Sequence, residues 1–351
     1  MTPSARYWAG SRCENTLSKD NGYSPSRGAA IAAALGKSVV YVLLFVGSQF
    51  FISLLAVAVI SAVMVGSLGY FDGYALYDAV MKISAEMTLL SGLLTLAVVA
   101  VFYRLRRREL RRELWLRPVG RQVWLTVVGL AMMLYWLVTL LFSLLPMEWL
   151  ESYAEASALL DETGLMMTLG TVVVAPVVEE VIFRGLMLSR LNRAMPGWPA
   201  LLLSSAVFGI LHGHPVWALY AGLLGVAFGL VAMRTGSILP TIVMHITFNG
   251  IGQLHTVFAV SETAYLVFEL VFAVVSAAAV IGLRGRFWVL MDGRGLSRCP
   301  YGRLTPAQPA EGAGAVEAPE GERPDALVVY SGQAQWDGDS GAQHRFTVND
   351  L

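Results

Sequence analysis

The chain has 351 residues, 56% of them hydrophobic and 14% charged, with a mean hydropathy of +0.60 and a formal net charge of zero. That balance excludes an ordinary water-soluble domain, and the absence of net basic charge gives no footprint for a nucleic-acid partner. The two cysteines, Cys13 and Cys299, lie in the polar ends without a CxxC or His-rich setting and read as unpaired thiols rather than a disulfide or metal site.

Residues 1–37 are mixed and polar, without the pattern of a cleavable signal, and are expected to form a disordered cytoplasmic arm. Eight apolar runs follow, to be compared with the ~20 residues a spanning helix needs. They cover Ser38 to Val65, Glu86 to Tyr103, Gln122 to Leu145, Gly164 to Leu191, Pro199 to Leu211, Val216 to Met233, Ile238 to His255 and Ala264 to Leu283. Backbone polar groups in lipid need internal partners, and these runs lack the alternation of a barrel strand. The expectation is an all-α, polytopic transmembrane bundle over residues 38–284, with about eight spans. Gly225 and Gly229, beside Gly222, fit close helix packing on the sixth run.

Basic residues orient the spans. Arg104, Arg106, Arg107, Arg108, Arg111, Arg112, Arg117 and Arg121 crowd the second connection, which is expected to be cytoplasmic. The next connection carries Glu148, Glu151, Glu155, Asp161 and Glu162 with no Lys or Arg, and is expected outside. Arg184, Arg190, Arg193, Arg234, Arg284 and Arg286 continue the alternation, so both termini are expected inside. Residues 285–351 are expected to be a mostly disordered cytoplasmic tail, Pro-, Gly-, Ala- and Glu-rich from 303 to 326.

The fourth run contains Glu179 and Glu180 inside an apolar stretch. Each mid-bilayer charge costs about 2.5–3.5 kcal/mol on insertion scales, so both acids need a partner or a wet cavity. Neighbours on a helix diverge by about 100°. Glu180 shares a face with Arg184 four residues on and is expected to pair with it, whereas Glu179 is expected to point into a cavity. The fifth run ends in Phe208 and His212. The seventh carries His245 and, one turn later, Asn249 on the same face. His214 and His255 fall near helix ends and are expected to be solvated. Ser204 and Ser205 read as packing residues.

A carboxylate, two imidazoles and a carboxamide, with no placed Ser or Cys nucleophile, suit water activation. A carboxyl group in apolar surroundings takes a proton more readily near neutrality. That division makes Glu179 the base, His212 its partner on the water, and His245 with Asn249 the oxyanion donors. A zinc ion on Glu179, His212 and His245 with an open fourth position is the competing account, although no HExxH is present.

The ordered set EExxxR at Glu179, Glu180 and Arg184, FxxxH at Phe208 and His212, and HxxxN at His245 and Asn249 resembles the CPBP intramembrane peptidase family. That family includes type II CAAX prenyl proteases and bacterial bacteriocin-processing and immunity (Abi-like) proteins. The resemblance covers residues 164–256. It implies a helical bundle of eight or so spans with a cavity open to the cytosolic side, and the first Glu of the pair as the catalytic one. It implies a membrane-associated peptide or protein as substrate and the bacterial plasma membrane as location. Two other classes stay open: a catalytically silent immunity or scaffold protein, and a proton-coupled transporter, which would show internal repeats that the chain lacks.

Overall fold

A computed structural model of the chain describes residues 27–107, 110–158, 164–258 and 261–291. The expected N-terminal arm up to residue 26, the tail beyond residue 291 and both cysteines lie outside these residues. Ten helices carry the described chain: α1 (Arg27–Leu68), α2 (Gly73–Lys82), α3 (Ser84–Leu105), α4 (Arg121–Ser143), α5 (Met147–Ala158), α6 (Leu165–Ala194), α7 (Gly197–Ile210), α8 (Pro215–Thr235), α9 (Leu239–Phe258) and α10 (Glu262–Met291). A single turn, Leu110–Glu113, interrupts the α3–α4 connection. No strand occurs among the described residues.

Two boundaries move outward from the sequence reading. Helix α1 starts at Arg27, not Ser38, because Ala and Gly punctuated by few polar groups continue the helical run backwards. Helix α10 continues past Leu283 to Met291. Six helices are long and apolar enough to cross a bilayer: Gly28–Ser67, Ser84–Leu105, Arg121–Ser143, Leu165–Ala194, Pro215–Thr235 and Glu262–Phe287. These define an integral membrane protein, with two fewer such spans than the eight expected. Helix α7, at 14 residues, rises only about 21 Å against a hydrocarbon layer of about 30 Å. Helix α9 is long enough at 20 residues but is diluted by His245, Thr247, Asn249, Gln253 and His255.

Helix α6 is the axis. Every residue from Glu180 to Leu188 is buried, as befits a helix that is apolar around most of its girth and surrounded by others. Helices α1, α3 and α7 pack on it and form one core with Tyr103, Ile182, Phe183, Leu188 and Phe208. Helices α4, α8, α9 and α10 form a second core around Leu130, Phe228, Val231 and Met244. Outside these cores the surface stays apolar, with Leu43, Phe50, Leu54, Leu270 and Val274 more than half exposed. Such a surface suits lipid and not water.

Glycines set the tightest contacts. A Cβ on Gly209 of α7 would stand 2.5 Å from the Ala218 carbonyl oxygen and 3.0 Å from the Gly222 Cα of α8. A Cβ on Gly225 would meet Ser205 at 3.0 Å, and one on Gly229 would strike Leu201. The expected packing role of this glycine set and of Ser205 is therefore observed. Ser204 ties α7 to α6 by donating to the Phe183 carbonyl at 3.0 Å. Gly236 closes α8 in the left-handed conformation, φ 62°, that a glycine adopts without strain.

Helix α6 is not regular. Two stretches, Leu169–Val174 and Glu180–Leu188, are π-helical, with five-residue rather than four-residue hydrogen bonds. Pro176 lies between them, and it has no N–H to give. Ala175 N–H reaches back five residues to the Gly170 carbonyl. In that register the next donor would be Pro176, so the Thr171 carbonyl is left without a helical partner. π-Bulges recur at functional sites.

Candidate active site

Glu179 ends the α-helical turn that follows Pro176, and Glu180 opens the second π-helical stretch of α6. Glu180 is fully buried, and its Oε1 accepts from Arg184 Nη1 at 2.9 Å, as the i, i+4 spacing predicts. Arg184 is itself buried and donates through Nη2 to the Gly225 carbonyl at 3.4 Å. Its guanidinium lies 4.3 Å from the Phe208 ring centroid and 5.4 Å from that of Phe228. A desolvated guanidinium between two aromatic faces gains cation–π attraction on each. The charge that would be costly in hydrocarbon is thus enclosed by a carboxylate, a carbonyl and two rings.

His245 of α9 joins the two acids. Its Nδ1 donates to Glu180 Oε1 at 3.1 Å, and its Nε2 stands 3.7 Å from Glu179 Oε2. The Nδ1 bond fixes which nitrogen faces Glu179. The 3.7 Å separation exceeds a direct hydrogen bond. Phe228 packs on the imidazole at 4.8 Å between centroids. Glu179 is only partly covered, with 16% of its side chain exposed, and borders a cavity of about 270 Å³ between α1, α3 and α6. This matches the expectation of one paired acid and one acid open to a cavity.

His212 follows the C-terminal end of α7 and is half-buried. Its Nδ1 donates to the Phe208 carbonyl at 2.8 Å, which leaves Nε2 as the acceptor in the neutral ring. Both imidazoles lean on the Phe208 ring, His212 at 4.8 Å and His245 at 6.1 Å between centroids. Phe208 therefore brings the end of the short helix α7 to the depth of α9. The hydrogen bonds and ion pairs of the described residues do not join His212 to Glu179 directly.

Asn249 has a definite task. Its Nδ2 donates to the Thr171 carbonyl at 2.9 Å, the acceptor that Pro176 leaves unpaired. One amide N–H is thus committed to α6 and one remains. Among the described residues, no group of three or more His, Cys, Asp or Glu is gathered as a metal site.

The remaining histidines differ from expectation in part. His214 caps α8, accepting from Val216 N–H through Nδ1 at 3.2 Å, with Ser152 Oγ 3.1 Å from its Nε2. His255 is not solvated: it pairs with Glu269 at 3.0 Å and stacks on Tyr135 at 4.7 Å. Sequence reasoning also missed the Glu180–His245 bond and the partners of His255. Pro176 inside the fourth span was the available signal for a disturbed helix.

A polytopic helical bundle with two carboxylates, a guanidinium and an imidazole in contact at its centre defines an integral membrane protein with an intramembrane polar site. Residues 161–251, which hold all of these groups, match the family described as type II CAAX prenyl endopeptidase Rce1-like, and this segment of the chain is a domain of that family. No curated protein and no solved structure gives a significant match to the chain.

Proposed function

We propose that the protein is an intramembrane endopeptidase that hydrolyses a peptide bond of a membrane-associated peptide or protein. The observation that carries the reading is the seating of His245, held by Glu180 on one nitrogen and facing Glu179 on the other. Glu179 and Glu180 contribute two negative charges and Arg184 one positive. The mechanism uses His245 with a proton on each ring nitrogen, so that it offsets one carboxylate charge as Arg184 offsets the other.

In the forward step Glu179 accepts a proton from a water lying between it and His245. The resulting hydroxide attacks the carbonyl carbon, and the carbonyl π pair moves to oxygen. His245 Nε2–H and the remaining N–H of Asn249 donate to that oxyanion. His212 Nε2, its other nitrogen anchored on Phe208, accepts from the water and orients it. The C–N bond then breaks as Glu179 returns its proton to the departing amine. Glu180 and Arg184 hold His245 in place and take no part in bond making.

No step here needs a resident metal, and zinc on Glu179, His212 and His245 stays the alternative account of the same residues. Location in a bacterial plasma membrane with both termini cytoplasmic belongs to the same proposal, supported by the arginine-rich α3–α4 connection.

The test is Glu179→Gln in the purified full-length protein, reconstituted in liposomes with fluorogenic apolar peptides. General-base removal is expected to lower kcat by about 10²–10⁴-fold, with unfolding unchanged because the side chain is partly open. Cleavage at the wild-type rate would refute Glu179 as the base, whereas no cleavage by the wild-type protein would favour the silent scaffold or immunity reading.

A further inference from the structure

The cavity beside Glu179 has an unusual wall for a membrane interior. Helix α3 lines it with Ser84, Thr88, Ser91 and Thr95, spaced four, three and four residues apart and hence on one helical face. Helix α1 adds Gln49 and Ser53, again one turn apart. Neither imidazole lines this space, so Glu179 is where the cavity meets the acid–imidazole cluster. Gly92 brings α3 against α6 there: a Cβ at that position would stand 2.7 Å from Val174 and 3.3 Å from Val178.

The hydroxyl protons on this wall are mostly committed. Thr88 donates to the Ser84 carbonyl at 3.0 Å, Ser91 to that of Thr88 at 3.0 Å, and Thr95 to that of Ser91 at 2.9 Å. Their oxygens keep lone pairs free to accept. Ser84 Oγ is buried without any hydrogen-bond partner, and Gln49 is exposed. Hydroxyls that bond only to their own helix are common in membrane proteins as packing groups. These differ because they line a cavity that the reactive acid closes, Thr88 being exposed and Ser91 and Thr95 set deeper in the wall.

A peptide bond cannot be attacked inside a helix, and a segment unwound in hydrocarbon exposes N–H and C=O groups that each cost several kcal/mol unpaired. We infer that the α3 wall receives the main chain of the substrate as an unwound stretch. The lone pairs of Thr88, Ser91 and Thr95 accept its N–H groups, and Ser84 and Gln49 donate to its carbonyls. Ser84 to Thr95 rises about 16 Å along the helix, the length of about five extended residues. Phe45, Met87 and Val178 complete the lining and would receive the apolar side chains of that stretch. The inference rests on the peptidase reading and names its substrate class.

The test separates binding from cleavage. The full-length Glu179→Gln protein in detergent micelles is titrated into three fluorescein-labelled probes: an apolar unlipidated decapeptide, the same peptide N-methylated at alternate residues, and a farnesylated copy. Thr88→Val with Ser91→Ala is expected to raise Kd for the plain peptide about tenfold, and Gln49→Leu, at an exposed position that folding does not need, to raise it as well. The N-methylated peptide is expected to bind weakly and to ignore these substitutions. Equal binding of the plain peptide to parent and variants overturns the inference, as does tight binding of the farnesylated probe alone. Should the protein with Glu179 intact cleave nothing while the hydroxyl variants still weaken binding, the wall stands as a peptide site and the peptidase reading falls.

Discussion

Replacing Arg184 by Met is expected to be among the most destabilising single changes in the molecule. Arg184 and Glu180 are 1% and 0% exposed, so neither charge can turn to water when the other is lost. Without the guanidinium, Glu180 Oε1 keeps only His245, and Glu180 Oε2 already has no hydrogen-bond partner. Methionine refills much of the volume between Phe208 and Phe228 and makes sulfur–aromatic contacts, so the packing loss is modest. What remains is an uncompensated buried carboxylate, and breaking such a pair costs about 3–5 kcal/mol. The double variant Glu180→Gln with Arg184→Met removes both charges and is expected to recover about 2–3 kcal/mol relative to the sum of the single changes. The assay is reversible unfolding in mixed micelles, followed by tryptophan fluorescence. A cost below about 1 kcal/mol for Arg184→Met, the range of an exposed pair, would refute the reasoning, as would strict additivity in the double variant. Activity is expected to stay low in the double variant even as stability returns, because His245 loses the carboxylate that fixes its ring.

Four further outcomes are expected. Asn249→Ala strands the Thr171 carbonyl and is expected to cost about 1–3 kcal/mol, with faster amide hydrogen exchange in the first half of α6. Gly209→Ala places a methyl against the Ala218 carbonyl and is expected to lower stability by about 1–3 kcal/mol and to cut activity through His212. Gly282→Ala, with nothing within 4 Å, is the control, expected to be neutral or to gain up to about 1 kcal/mol in thermal unfolding. A chelator such as 1,10-phenanthroline is expected to leave peptide cleavage unchanged; inhibition that zinc reverses would place a metal on Glu179, His212 and His245.

The sequence was most informative where a residue type conflicted with its surroundings. Two acids in an apolar run demanded partners, and the four-residue step from Glu180 to Arg184 identified one of them correctly. The same reading separated Glu179 from Glu180 by helical rotation, and the structure has one open and one enclosed. It could not supply His245 as the second partner of Glu180, because that contact joins residues 65 positions apart through tertiary packing. All eight apolar runs are helical, and two fall short of a span for local reasons: Pro196 and the turn after Ile210 cut α7 to 14 residues, and polar side chains dilute α9. Asn249 was placed on the right face, but its bond to Thr171 depends on a π-helical register that hydrophobic periodicity does not encode. His255 looked solvated from its position near a helix end, whereas α10 supplies Glu269 and an aromatic enclosure that no local pattern announces.

The glycine seam between α7 and α8 has a consequence for motion. Where backbone rests on backbone, no side-chain rotamers are available to absorb a sliding displacement, so the hairpin can shift only as one piece. The Phe208 ledge and both rings that lean on it are thereby mounted on the stiff side of the molecule. Helix α1 has no such seam: a Cβ at Gly28, Gly36, Gly47 or Gly66 would meet nothing within 4 Å.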